Sequence, residues 1–161
     1  MKNSPSRALG IDPGYGRCGW AVLDGGVKPS LVASGCIETP AGAELGPRLI
    51  TIADELERVI NQYHPQIMAI EKLFFTNNVS TAINVGQARG AIMLVGARHG
   101  LDLREYTPTD VKLATTGDGR AEKRQIIKMV TLLLGVTTQP KTDDEIDAIA
   151  VGLCATATRR T

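Results

Sequence analysis

Two hydrophobic periods divide the chain. In the first forty residues, short apolar runs alternate with strong turn signals. Ala8 to Ile11 ends on Asp12 and Pro13-Gly14, and a second run from Arg17 to Leu23 ends on Asp24-Gly25-Gly26. A third, from about Ser30 to Glu38, closes at Thr39-Pro40-Ala41-Gly42. The pattern predicts three strands in an antiparallel meander, the first two hairpinned through Gly14 and Gly16. From Pro47 the spacing becomes helical, with Leu49, Ile52, Ala53, Leu56, Val59 and Ile60 on one side and charges opposite. That helix should stop before His64-Pro65, because the residue preceding a proline is pushed out of the α region.

The second half alternates between the two periods. Gln66 to Ile70 reads as a fully buried strand with Glu71 at its tip, and a long helix is expected from about Asn78 to His99, ended by Gly100. Ala82, Gly86, Gly90, Ala91 and Ala97 line that helix with small residues. Such a lining suits close approach by another backbone, either the sheet beneath or a helix of a second subunit. Leu101 to Tyr106 is a fifth strand. Pro108 starts a brief helix capped by Thr107 or Thr109, Thr115 to Gly119 is a loop, and helices follow over Glu122 to Leu134 and from Asp143 to about Thr158. This order predicts an α/β fold, a mixed sheet of five strands flanked by helices. A single domain over residues 1–161 is expected, with residues 1–7 and 158–161 as flexible ends.

Composition changes this picture little. Of the 161 residues, 43% are hydrophobic and 22% charged, which are ordinary globular values, and the net charge of +1 leaves nucleic-acid binding to be decided by where the charges lie. Cys18, Cys36 and Cys154 are odd in number, scattered, and match neither a zinc spacing nor a disulfide framework; they read as reduced core residues of a cytoplasmic protein. No apolar stretch reaches the length of a membrane span.

Isolated carboxylates carry the chemistry. Asp12 taken alone is either a turn residue or a ligand held at the tip of a buried strand. Glu71 repeats the arrangement, and a carboxylate there is expensive to bury unpaired. In Thr142-Asp143-Asp144-Glu145-Ile146-Asp147, Thr142 and Glu145 have capping-box spacing, and Asp143 suits the helix dipole. Asp144 and Asp147 lie three apart on one face of a helix whose remainder is apolar, so they are expected to point inward as a buried face. Four carboxylates brought together must raise one another's pKa or bind cations. Without histidine or cysteine among them the set is hard, favouring Mg²⁺ or Mn²⁺, and two such ions roughly 4 Å apart serve phosphodiester hydrolysis.

With these residues in place, the chain resembles the RuvC family of Holliday-junction resolvases, essentially from end to end. The resemblance is carried by Leu9-Gly-Ile-Asp-Pro-Gly, Ala69-Ile-Glu, Asn84-Val-Gly-Gln-Ala-Arg-Gly, Ala121-Glu-Lys and Asp144-Glu-Ile-Asp-Ala-Ile-Ala. It implies a ribonuclease-H-like fold and a homodimer acting on four-way junction DNA, each subunit nicking one of two symmetry-related strands. It further implies recombination and repair as the setting and a branch-migration motor as a partner, with no nucleotide cofactor. The family's four acidic positions fall on Asp12, Glu71, Asp144 and Asp147. Some relatives carry histidine at the third, and the C-terminus here lacks histidines seen in some of them.

Two features point to DNA. Phe74 and Phe75, adjacent and just past Glu71, cannot both serve one core in extended geometry. Either one faces solvent, where an aromatic ring can stack on an unpaired base, or both plug the loop. The resemblance places Phe74 against bases near the crossover. Between Lys112 and Lys141, Lys112, Arg120, Lys123, Arg124, Lys128 and Lys141 face only Asp118 and Glu122, a positive stripe suited to phosphates. The resemblance singles out Lys112 and Lys123, with Arg124, Arg159 and Arg160 as possible helpers. Two rival readings are an ATPase of the actin/sugar-kinase-like superfamily, from Ile-Asp-Pro-Gly, and a non-catalytic junction-binding homodimer. The first needs a second domain for which this chain has no room; the second predicts binding without metal-stimulated cleavage.

Overall fold

The apolar runs of the first forty residues pair as an antiparallel meander. In the computed structural model, which describes residues 6–73, 78–135 and 142–157, these strands are β1 (Arg7–Asp12), β2 (Arg17–Asp24) and β3 (Ser30–Glu38). Arg7 opposes Asp24 and Asp12 opposes Gly19. Arg7 was expected in a flexible end but is instead the first residue of β1. Its guanidinium forks onto Asp24 at 2.7 and 3.0 Å and donates to the Tyr63 carbonyl at 2.7 Å.

The helical periodicity gives α1 (Leu45–Tyr63), which begins before Pro47 because a proline is tolerated within a helix's first turn. It ends at His64, which takes a left-handed φ of 50° ahead of Pro65. The chain then forms β4 (Ile67–Glu71), α2 (Val79–Arg98) capped by the Asn78 side chain, and β5 (Asp102–Tyr106). Three helices complete it: α3 (Pro108–Thr116), α4 (Lys123–Leu134) and α5 (Asp143–Ala157). Thr107 caps α3 through a reciprocal capping box with Asp110, and the helix runs on through Thr115, expected in a loop. The Thr115 side chain is buried, its hydroxyl donating to the Val111 carbonyl at 2.7 Å.

The five strands form one mixed sheet in the order β3-β2-β1-β4-β5, with β1, β4 and β5 mutually parallel. Strand alternation sorts the side chains into two cores. Leu9, Ile11, Val22, Met68 and Ile70 face α1 and α2, while Ala8, Ala21, Leu23, Ile67 and Ala69 face α3, α4 and α5. On the second face α5 lies almost on the backbone of β1 and β2. A Cβ at Gly10 would stand 2.2 Å from the Ala148 carbonyl oxygen, and one at Gly19 would stand 2.0 Å from that of Asp144.

The small residues of α2 were expected to admit either the sheet or a second subunit's helix, and the structure bears on the first. Among the described residues, Gly86 meets only Leu73 and nothing lies within 4 Å of a Cβ at Gly90, so neither lets the sheet approach; Gly96, against Met68 and Leu103, does. Cys18 and Cys154 are buried thiols pushed up to about 12, chiefly by burial, whereas Cys36 is only half-buried. Among the described residues, no helix is long and apolar enough to cross a membrane.

Candidate active site

Parity along the strands aims two carboxylates at one spot. Ala8, Gly10 and Asp12 alternate onto the α5 face of β1, and Ile67, Ala69 and Glu71 onto the same face of β4. The parallel ladder between the two strands ends at Ile11 and Ile70, so Asp12 and Glu71 each stand one residue beyond the last pair. Because α5 rests on Gly10 and Gly19, its first turn lies over these strand ends. A layer of larger side chains between helix and sheet would lift Asp144 and Asp147 out of reach.

The start of α5 is fixed by the cap that its sequence predicts. The Thr142 backbone N–H donates to Glu145 Oε2 at 3.1 Å, and the Glu145 N–H donates to Thr142 Oγ1 at 3.2 Å. Glu145 also accepts from Ser34 Oγ at 3.2 Å, tying α5 to β3. Glu145 is thus the buried acid of the segment, at 8% exposure. Asp144 and Asp147, expected as a buried face, are half-buried, with side chains 27% and 36% exposed. They lie over the open ends of the strands, where solvent reaches them.

Each of these two aspartates is neutralised by a cation of the chain itself. Arg17 Nε meets Asp144 Oδ2 at 2.8 Å, and Lys123 Nζ meets Asp147 Oδ2 at 3.0 Å, with Asp143 3.6 Å from the same ammonium. Among the described residues Asp12 has no such ion pair, and the charge of Lys123 only partly offsets what raises it. Burial first, and then the charges of Asp147, Glu71 and Asp144, push its carboxyl up to about 7. Burial and the charge of Asp147 also raise Glu71. Burial raises Asp147 too, outweighing the hydrogen bond and charge of Lys123. Burial works to lower the Lys123 ammonium, but the hydrogen bond and charge of Asp147 prevail and raise it. Asp12, Glu71 and Asp147 are thus raised chiefly by burial and secondarily by the charges of neighbouring carboxylates.

Glu71 stands on the wall between two hollows. The larger, of 380 Å³, lies among α3, α4 and α5, with Val111, Ile126 and Val151 in its apolar lining. Lys112, Arg120, Lys123 and Asp147 line it with Glu71, so both lysines that the resemblance singles out border this hollow. The smaller, of 190 Å³, lies between Asp12, Pro13, Glu71, Leu73 and Val85. Phe74, Phe75, Lys141, Arg159 and Arg160 lie outside the described residues.

The donor set suits a hard divalent cation: four carboxylates with no nitrogen or sulfur ligand among them, two of them already holding a cationic side chain. As placed, no group of three His, Cys, Asp or Glu side chains among the described residues stands close enough to hold a metal ion. Asp144 and Asp147 are turned instead to Arg17 and Lys123, so metal binding requires them to exchange partners. Arg17 was not foreseen from sequence, because a basic residue at a strand start reads as a solvated end. Arg89 was also missed: from α2 its Nε donates to the Glu71 carbonyl oxygen at 3.1 Å. Its only signal was its place within Gly86-Gln-Ala-Arg-Gly.

Residues 8–155 match the family model described as "Crossover junction endodeoxyribonuclease RuvC". Curated relatives of that name include one from Heliobacterium modesticaldum, 48% identical over 147 residues and covering 91% of each chain. Another, from Chloroflexus aggregans, is 47% identical over 150 residues, covering 92% of this chain and 91% of the relative. Among solved structures, T. thermophilus RuvC in complex with a Holliday junction substrate superposes with a TM-score of 0.88 at 29% identity, covering 92% of each chain. The yeast mitochondrial Holliday junction resolvase Ydc2 shares the fold, with a TM-score of 0.65 at 12% identity over 95% of this chain and 77% of that one.

Proposed function

The chain belongs to the RuvC family of crossover junction endodeoxyribonucleases, and on that premise we propose that Asp12, Glu71, Asp144 and Asp147 form the metal-holding active site with which it nicks four-way junction DNA. It is a Holliday-junction-resolving nuclease of DNA recombination and repair, and it hydrolyses phosphodiester bonds. The observation that carries the site reading is the approach of four carboxylates from three elements to one end of the sheet, near enough that, after burial, the charges of the other three help push Asp12 up to about 7. Such crowding in a partly buried place is tolerable when a divalent cation replaces the protons and the protein's own cations.

Each residue then has a part. Asp12 and Glu71, at the strand ends, would hold Mg²⁺ or Mn²⁺, two per site, and Asp144 and Asp147 would complete the ligand sets. Such ions, when bound, would lower the pKa of the attacking water and offset charge on the leaving oxygen. Asp147 would then part from Lys123, leaving that ammonium for a phosphate, and Asp144 would part from Arg17. Lys112, on the far wall of the 380 Å³ hollow, and Lys123 grip the strand being cut. Phe74 stacks on a base near the crossover, following the resemblance. Water is the nucleophile, and no covalent protein–DNA intermediate forms.

Two symmetric nicks need two sites, so the reading includes a homodimer. It is supported by the outer side of α2, where Val79, Ile83 and Leu94 are more than half exposed in a row with the open Gly90. A branch-migration motor is the expected partner. An odd number of scattered cysteines, matching no disulfide framework, suits a reducing compartment, and the reading places the enzyme in the cytoplasm. The test is a mobile four-way junction incubated with the protein and Mg²⁺ or Mn²⁺, with the nicks mapped on all four strands. Paired nicks symmetric across the junction are expected; binding without cleavage, or nicks on unrelated strands, would contradict the reading.

A further inference from the structure

The Gly86-Gln-Ala-Arg-Gly segment carried much of the family resemblance, yet none of its residues has a part in the site so far. Arg89 lies on the opposite side of the sheet from the four carboxylates, and its side chain is only 15% exposed. Its Nε donates to the Glu71 backbone carbonyl at 3.1 Å, and a terminal nitrogen of the same guanidinium is bonded to the Glu105 carboxylate. Glu105 sits on β5 opposite Ile70, the residue before Glu71. One planar group therefore ties α2, the end of β4 and the edge strand β5 together.

That tie falls where the sheet gives Glu71 little other support. Its strand is bonded to β1 only as far as Ile70, whereas on the other side the ladder reaches Tyr106, and the Lys72 N–H continues to the Tyr106 carbonyl at 2.8 Å. Glu71 is flanked by ladder on one side, with the two hollows at its carboxylate. A ligand at a strand end needs its backbone fixed if its oxygens are to be placed to a fraction of an ångström. The structure assigns Arg89 the part of a positioning residue, holding the Glu71 backbone from the rear of the sheet so that its carboxylate is presented to the metal site on the front. Lysine could not replace it, since a point charge cannot serve a carbonyl and a carboxylate in one fixed fork.

The assignment rests on the reading of Glu71 as part of the active site, and the experiment separates the two. Mn²⁺ binding to the junction-free protein is measured by calorimetry for wild type, Arg89→Met, Arg89→Lys, Glu71→Gln and the Arg89→Met/Glu71→Gln double variant. Single-turnover cleavage, and junction affinity in EDTA, are measured beside it. Arg89→Met and Arg89→Lys should each weaken Mn²⁺ binding and slow cleavage by about 10- to 100-fold, the range for residues that orient metal ligands. Junction affinity in EDTA should stay within about twofold, and Arg89→Met should add nothing to the Mn²⁺ loss already caused by Glu71→Gln. Unchanged Mn²⁺ affinity in Arg89→Met, or a loss additive with that of Glu71→Gln, would overturn the assignment while leaving the site reading intact. Full Mn²⁺ affinity and cleavage in Glu71→Gln would overturn both. If Arg89→Met does not fold, Glu105→Gln decides: it must lower Mn²⁺ affinity in the same direction, by about threefold or more, and no change overturns the assignment.

Discussion

On one face of the sheet, Leu9, Ile11, Met68 and Ile70 fill the space to α1 and α2 with large side chains, meeting Ile52, Leu56 and Ile92. On the other, α5 meets β1 and β2 through glycine, with Gly10 and Gly152 nearly touching. The strands are the same; the distance at which a helix can lie against them is not. A layer of large side chains makes a stable backing and keeps a helix's polar ends away from the strands. Glycine against glycine brings the first turn of α5, with Asp144 and Asp147, down towards the strand tips that carry Asp12 and Glu71. The proposed site lies on the face where packing is closest, and the other face backs the strands with large side chains.

Breaking the close contact should have the largest effect. Gly10→Ala places a methyl carbon against the Ala148 carbonyl and the Gly152 backbone, neither of which can rotate away. We expect a loss of about 3 kcal/mol or more in denaturant unfolding, together with loss of nicking as α5 is lifted from the sheet. Full stability and full activity would mean that the approach of α5 is not what assembles the site.

Removing charge from the same face should give a smaller effect that changes with pH. Asp12 has a folded pKa of about 7 against an ordinary 3.8. Its contribution to stability is therefore fully present below about pH 4 and is lost as pH rises through about 7. Asp12→Asn, which cannot ionise, should raise the melting temperature in EDTA at pH 8 by on the order of 5 °C and leave it nearly unchanged at pH 4. Mg²⁺ or Mn²⁺ should stabilise the wild type at pH 8 and fail to stabilise the variant. A pH-independent difference would show that Asp12 is not crowded by the other carboxylates.

The smallest effect belongs to the opposite face. Gly90 is exposed on α2 with nothing within 4 Å of its Cβ direction, so Gly90→Ala should gain up to about 1 kcal/mol from helix propensity in the monomer. Single-turnover cleavage per dimer should be unchanged. In the dimer the same substitution probes the proposed α2 contact: sedimentation at falling concentration should show weaker association if a second copy covers Gly90, and unchanged association if the contact lies elsewhere.

The two faces also differ in how legible they are in the sequence. Alternation and helical spacing locate the five strands and five helices of the described residues, because each buries one side and the period records it. The four acids stand out for a related reason: Asp12 and Glu71 end apolar runs, and Asp144 and Asp147 precede one, so a lone charge there needs an explanation. Close approach was harder to assign. The small residues of α2 look like a packing seam, but Gly86 and Gly90 do not meet the sheet; the glycines that do are Gly10, Gly19 and Gly152, inside apolar stretches that read simply as core. Sequence records that a residue is small, not which backbone uses the space. Arg17 and Arg89 were hidden for the opposite reason, since a single basic residue on an element reads as solvated. Their partners, Asp144 and the Glu71 carbonyl with Glu105, are brought to them only by the sheet and α5.

The central claim is that the four carboxylates are one metal site, and it is tested most directly by cleavage of a four-way junction by Glu71→Gln and Asp147→Asn beside the wild type, in saturating Mg²⁺ or Mn²⁺, with binding measured on the same junction. Nicking should be abolished in both variants while junction binding stays intact. Undiminished nicking by either variant would contradict the account.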